Sequence, residues 1–294
     1  MAQLYTLSSE KLRVEICDEG AELRSVVSKA DGCEYIWQGD PKYWEDHAPV
    51  LFPICGRFWE GHYTYRGKEY EMGMHGFAAA SRFAVKNATD TAVTFALTDS
   101  AATRAAYPFA FSLELTYRLA GDTLSCDIAI TNKGNDVMPV TFGGHPGFRV
   151  PFDGKAPFES FCLRFGERAT PNKLLITPDG FYSGRQVALP LAGGDTLPLS
   201  HELFASDGIF MCRMPDSVTL CSSEDPHAVT LTYPDFYYLG VWQEYGNDTP
   251  FLCIEPWCGM AAYDGVHDDL ETKPDMFHLQ KGEVKRLRYG IRFQ

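Results

Sequence analysis

The chain is predicted to be all-β, a large antiparallel β-sandwich, on three observations. Apolar and polar residues alternate in run after run. The stretches between those runs are rich in glycine and proline, with 26 Gly and 18 Pro in the 294 residues. Helical periodicity is weak throughout, which argues against a parallel βαβ architecture.

The alternating runs follow one another along the chain. They begin with KLRVEI, HYTYRGKEYEM and AVTFALT. In FSLELTYRL, the residues Phe111, Leu113, Leu115, Tyr117 and Leu119 share one face. In LSCDIAITN, Leu124, Cys126, Ile128 and Ile130 do the same, with Ser125, Asp127 and Thr131 opposite. The intervening AGDT is a hairpin signal, so these two strands are expected to pair antiparallel. AVTLTYP and the final KRLRYGIRFQ continue the pattern, the latter with Leu287, Tyr289, Ile291 and Phe293 inward and Arg286, Arg288 and Arg292 outward. Short helices are expected only at PKYWEDH and AATRAAY. No repeat, low-complexity tract or linker-like break interrupts the chain, so residues 1–294 are read as one domain.

Composition narrows the function. Hydrophobic residues make up 45% of the chain and charged residues 22%, a profile of a protein with a sizeable core. The net charge of −13 opposes binding to nucleic acid or anionic membrane, and no apolar run reaches the roughly 20 residues that span a bilayer. The N-terminal stretch lacks a basic region followed by an apolar one, and the nine cysteines are scattered singly. A cytoplasmic protein with reduced thiols is expected.

Four stretches carry chemistry. His75 in GMHGFAA and His145 in GGHPGF are flanked by glycine, which removes side-chain bulk and lets a ligand or another backbone approach; a plain turn would read the same way. Glu255 stands inside the apolar run FLCIEPWCG, where a carboxylate is paired, hydrogen-bonded, shifted in pKa, or turned outward. Pro256 points to a strand terminus there. Arg57 in LFPICGRFW offers a fork of donors to hydroxyls or carboxylates, or a surface ion pair. The histidines at 47, 62, 201, 227, 267 and 278 sit in polar, turn-like contexts and are read as surface or hydrogen-bonding residues. Trp44, Trp59, Trp242 and Trp257 lie near these stretches, with ring faces suited to sugar C–H groups or to an ordinary core.

HxH and HExxH spacings, a GxSxG elbow, phosphate loops and dinucleotide fingerprints are all missing. Zinc ligation by two histidines and a glutamate lacks the usual short spacing, so no metal and no cofactor is expected. Acid–base chemistry on a small polar substrate remains, and opening a cyclic sugar hemiacetal needs one base and one acid.

The ordered set GRFW, MHGFA, GGHPGF, LGVWQ and CIEPWCG resembles the aldose 1-epimerase (galactose mutarotase) family, over essentially the whole chain. The resemblance implies a β-sandwich of the supersandwich type and interconversion of the α and β anomers of a free aldohexose. It implies Glu255 as the base at the anomeric hydroxyl and His145 as the acid at the ring oxygen. His75 would hold the substrate and assist at that oxygen. Arg57 and Asp207 would bind sugar hydroxyls, with Trp242, Trp257 and Phe148 completing the binding set. Galactose mutarotases carry asparagine where this chain has Gly56, and their histidine motif continues differently, so the reaction is expected to carry over better than galactose as the substrate. A hexose 6-phosphate mutarotase, with Arg82 and Arg149 near the motifs, and a sugar-binding protein without turnover are the alternatives.

Overall fold

A computed structural model describes residues 2–245 and 248–294. Two large antiparallel sheets dominate it. The first has nine strands in the spatial order Thr196–Pro198, Phe161–Phe165, Ser217–Ser222, Ala228–Thr232, Val284–Phe293, Thr123–Asn132, Phe111–Ala120, Ala92–Thr98 and Ala84–Ala88. The second has eight. Its path runs Tyr182–Ala188, Asn172–Ile176, Ile209–Cys212, Tyr238–Trp242, Phe251–Trp257, Gly143–Gly144 and Val50–Leu51, and Gly147–Arg149 also pairs with Phe251–Trp257. The N-terminal Leu4–Ser8, Leu12–Cys17 and Leu23–Ser28 form a separate three-stranded sheet.

Register follows the alternation read from the sequence. Ala120 faces Thr123 across a two-residue turn, and Gly121 supplies its φ of 60°. Cys126 lies between Tyr117 and Tyr289, and Ile128 lies between Leu115 and Leu287. These inward residues join Leu239, Val241, Leu252 and Ile254 of the eight-stranded sheet in one buried apolar cluster, so the two sheets share a core. On the outer face of the nine-stranded sheet, Asp127 accepts from both Arg118 and Arg288, an exposed arrangement that adds little stability.

Of the two expected helices, one forms. Ala101–Ala106 is α-helical behind a Ser100–Thr103 capping box. PKYWEDH makes only a single turn, in which the amides of Tyr43 and Trp44 both donate to Asp40 O. The amides of His47 and Ala48 are instead taken by Glu22 Oε1 at 2.9 and 2.8 Å, which pulls the chain out of helical geometry.

Candidate active site

The strand Phe251–Trp257 is buried along its whole length in the middle of the eight-stranded sheet. Period-2 geometry sends Leu252 and Ile254 into the shared core, while Phe251 and Cys253 pack on the opposite face with Trp37. Glu255 falls on that second face, 1% exposed. Alternation does place it opposite Ile254, but the face it occupies is roofed by loops rather than open to water. The strand also continues one residue past Pro256, which pairs with Leu239. Across the ladder from Glu255 stands Gly240, where a Cβ would come within 3.0 Å of the Phe210 ring and 3.3 Å of Glu255 Cβ. A side chain at 240 would therefore press directly on the carboxylate's base.

His145 sits between the short pieces Gly143–Gly144 and Gly147–Arg149, its amide donating to Pro49 O at 3.1 Å. Its Nε2 lies 3.2 Å from Glu255 Oε2. The glycines around it serve the protein's own side chains: a Cβ at Gly143 would meet Cys55 Sγ at 2.8 Å and Trp257 Cδ1 at 2.9 Å, and one at Gly147 would meet Trp44 Cζ3 at 2.8 Å. The room they leave is filled by indole rings, and those rings in turn line the cavity beside the imidazole.

His75 reaches the same place from a different loop, in the left-handed region with φ 63°. Its amide donates to Gly56 O at 2.7 Å, and Gly56 N–H donates back to His75 Nδ1 at 3.1 Å. With Nδ1 accepting, the neutral ring carries its proton on Nε2 and offers it as a donor. Gly76 is required behind it, because a Cβ there would fall 2.2 Å from Phe52 O. Gly56 is equally confined, with φ 72° and Ala261 2.7 Å from any added Cβ. The asparagine of galactose mutarotases has no space at that position.

A cavity of about 210 Å³ is lined by His75, His145, Glu255, Arg57, Asp207, Trp242 and Trp257, together with residues such as Trp44, Asp46 and Met260. Seven of the eight site residues expected from the sequence therefore meet around one space. Phe148 does not. It is fully buried in the shared core, opposite Leu252 in the ladder, on the face of the strand away from Glu255. Trp44 and Asp46 belong to the wall, although the sequence marked their segment as a helix; the clue was Trp44 beside an acidic pair in a proline-led stretch. The remaining histidines keep polar partners, as with His227 between Asp31 and Asp225 and His47 beside Arg24.

Electrostatics set the site apart. Burial, followed by the nearby charge of Asp207, pushes the Glu255 carboxyl well above its ordinary 4.5, with the Trp257 indole opposing. Burial drives His145 down to about 4. Burial, then His145 and Arg57, takes His75 down to about 3. Both carboxylate oxygens of Glu255, His145 Nδ1 and Trp257 Nε1 are buried without an aligned hydrogen bond among the described residues. Arg57 makes no ion pair among the described residues; it donates to Asp179 O at 3.3 Å and to Met74 Sδ at 3.0 Å. Asp207 holds Gly208 N–H at 2.6 Å from an unusual φ of 119°. One group could also hold a metal ion: ligand atoms of His145, Cys253 and Glu255 lie within 4.8 Å of one another. Burial, followed by the nearby charge of Glu255, raises the Cys253 thiol well above its ordinary range.

Residues 3–261 match the family model for aldose 1-epimerase. The LacX protein encoded on a plasmid of Lactococcus lactis subsp. lactis is 31% identical, covering 97% of each chain. The crystal structure of a galactose mutarotase related enzyme from Lactobacillus acidophilus superposes with a TM-score of 0.95 at 33% identity, covering 99% of this chain and 97% of that one. A galactose mutarotase-like protein from Lactobacillus casei gives the same TM-score and identity, covering 99% of this chain and 100% of that one. With the sandwich, the cavity and this similarity along its length, the chain belongs to the aldose 1-epimerase family.

Proposed function

We propose that the protein is a mutarotase that interconverts the α and β anomers of an aldose without a cofactor. The observation that carries this reading is the contact between His145 and Glu255. The anomeric hydroxyl and the ring oxygen of a pyranose are bonded to the same carbon, so the acid and base that open the ring must stand close together and face the same ligand. Glu255 accepts the anomeric proton as the C1–O bond to the ring oxygen breaks, and His145 delivers a proton to that oxygen. The open aldehyde rotates about C1–C2, and re-closure runs the two transfers backwards. His75 stays neutral at physiological pH and holds the ring oxygen through Nε2–H. Arg57 and Asp207 grip hydroxyls, and Trp242 and Trp257 offer faces to the sugar's C–H groups.

The charges favour a neutral sugar over a phosphorylated one. Among the described residues, Arg57 is the only Lys or Arg in the cavity wall, against Asp46, Asp207 and Glu255. Arg82 is tied to Asp18 at 2.8 Å, and neither it nor Arg149 reaches the wall. A cytoplasmic setting belongs to the same reading: all nine cysteines are free, and no helix among the described residues is long and apolar enough to cross a membrane. Polarimetry on freshly dissolved α-D-glucose and α-D-galactose, with and without 6-phosphate, tests the proposal. Acceleration of the free sugars supports it; no acceleration of any aldose makes the protein a sugar binder instead.

A further inference from the structure

On the outer face of the nine-stranded sheet, Cys162 and Cys221 stand directly opposite each other in one ladder, with their sulfurs 3.9 Å apart. Both are half-buried. The next strands on either side put Pro198 beside Cys162 and Ala228 beside Cys221, so the row has no long side chain at either end to cover the sulfurs. Gly166 N–H donates to Ser217 O at 3.1 Å, and hydrogen-bonded pairs recur every second residue along an antiparallel ladder. Cys162 and Cys221 lie an even number of places from Gly166 and Ser217, so they form such a pair too, with Cα atoms about 5.5 Å apart. A disulfide spans that separation, and side-chain rotation brings the sulfurs together with the strands in place.

The same contact prepares the chemistry. A hydrogen bond between the sulfurs favours the state with one thiolate, lowering Cys221 below the ordinary thiol value against the effect of burial and raising Cys162. The Arg164 guanidinium favours the thiolate at both. The other thiols are placed differently. Cys17, Cys55, Cys126, Cys253 and Cys258 are buried. Cys33 and Cys212 are half-buried, but their sulfurs face oxygen atoms, Phe152 O at 3.9 Å and Gln186 Oε1 at 3.6 Å.

We infer that Cys162 and Cys221 are a redox modification site, a dithiol that a low-molecular-weight disulfide converts to a reversible cross-strand disulfide. The Cys221 thiolate attacks one sulfur of the reagent, expelling a thiolate and leaving a mixed disulfide. Cys162 then gives its proton to solvent and attacks Cys221 Sγ, expelling the second thiolate. The protein gives up two electrons and two protons, and the reagent leaves as two small thiols. Excess small thiol runs the exchange backwards, because the sulfurs stay within its reach. The bridge joins residues 59 apart in sequence, so it constrains the unfolded chain more than the folded one.

The test incubates the folded protein with glutathione disulfide, alkylates the remaining thiols and maps the peptides by mass spectrometry. Two of the nine cysteines should escape alkylation, with the Cys162 and Cys221 peptides linked, and dithiothreitol should restore all nine. Cys162→Ser should instead keep glutathione on Cys221, because the resolving sulfur is gone. The denaturant midpoint of the oxidised parent should exceed that of the reduced one, and Cys162→Ser should show no such rise. Nine alkylated thiols after the incubation, a link between any other two cysteines, or glutathione retained on the parent's Cys221 would each overturn the inference. A midpoint that falls on oxidation would also overturn it, since bridging would then pull the ladder apart. None of these readouts involves a sugar, so they stand apart from the mutarotase reading.

Discussion

His145 Nε2 and Glu255 Oε2 lie 3.2 Å apart in a buried cavity wall, and burial moves their proton affinities in opposite directions, the carboxyl up and the imidazole down. The consequence is a pair that readily holds one proton between them. On the proposed mutarotase reading, that proton on the imidazole would make Glu255 the base and His145 the acid, and the same proton on the carboxyl would reverse the roles. Opening and re-closing a sugar ring would use both assignments in turn.

Replacing Glu255 by Gln keeps the shape and removes the proton carrier. Mutarotation is expected to fall by about 10²–10⁴ in kcat, the usual contribution of one positioned proton-transfer group. Stability should be equal or greater. The folded carboxyl has a raised pKa, so its stabilising share is complete below its ordinary 4.5 and is lost as pH rises toward the folded value. Glu255→Gln removes that loss. Denaturant titrations of both proteins between pH 5 and 8 should show the variant gaining on the parent as pH rises; a variant that unfolds readily at every pH would contradict this account.

Activity should depend on pH as a bell. The alkaline limb marks loss of the single proton shared by His145 and Glu255, and the acid limb marks gain of a second. Because burial takes His145 to about 4, the acid limb is expected well below the ordinary histidine value of 6.5. Folding stability responds in the same region. His145 and His75 have folded values depressed to about 4 and about 3, so their contribution is present above 6.5 and is lost as pH falls through those values. A kcat/KM profile whose acid limb sits at 6.5 would mean that an exposed histidine, and not His145, controls turnover.

Arg57 faces the cavity with a guanidinium that no carboxylate neutralises among the described residues, packed against Gly180, where an added Cβ would fall 3.2 Å from Arg57 Cζ. On the proposed reading it would bind sugar hydroxyls in the ground state and the transition state alike. Arg57→Ala is therefore expected to raise KM by about tenfold, or about 1.4 kcal/mol, with kcat changed by less than about threefold. Steady-state kinetics separate the two constants. A large drop in kcat with KM unchanged would give Arg57 a part in proton transfer instead.

The sandwich was legible because alternation is a local property. Cys126 and Ile128 each declare a face without reference to anything distant, and the ladder to Tyr289 and Leu287 follows from two such strands meeting. Glu255 was legible for a related reason, since a carboxylate in a run of Phe, Leu, Cys and Ile has to be accommodated by something. What the alternation could not reveal is which covering loop roofs its face. Trp44 and Asp46 enter the wall on a segment whose next two amides, those of His47 and Ala48, are held by Glu22, far away in the chain. The glycines around His145 had two physical meanings, close approach of a ligand or of protein, and at Gly143 and Gly147 protein side chains lie within 3 Å of any added Cβ. Asp207, the weakest match in the sequence, reaches the cavity through a backbone conformation that its flanking residues do not announce.

Phe148 gives the sharpest test of how the site divides from the core. Only three residues from His145, it points through the sheet into the buried cluster, with no exposed surface and a place opposite Leu252. A role in binding sugar predicts that truncation raises KM with little change in stability. A core role predicts the reverse, because deleting a fully buried ring removes its transfer free energy and leaves a void. Phe148→Ala is expected to destabilise the protein by about 3–5 kcal/mol. Chemical denaturation gives the stability, and kinetics at low temperature, where the variant remains folded, give KM. An unchanged KM together with a large shift in the denaturation midpoint places Phe148 in the scaffold; a stable variant with weakened sugar binding would return it to the site.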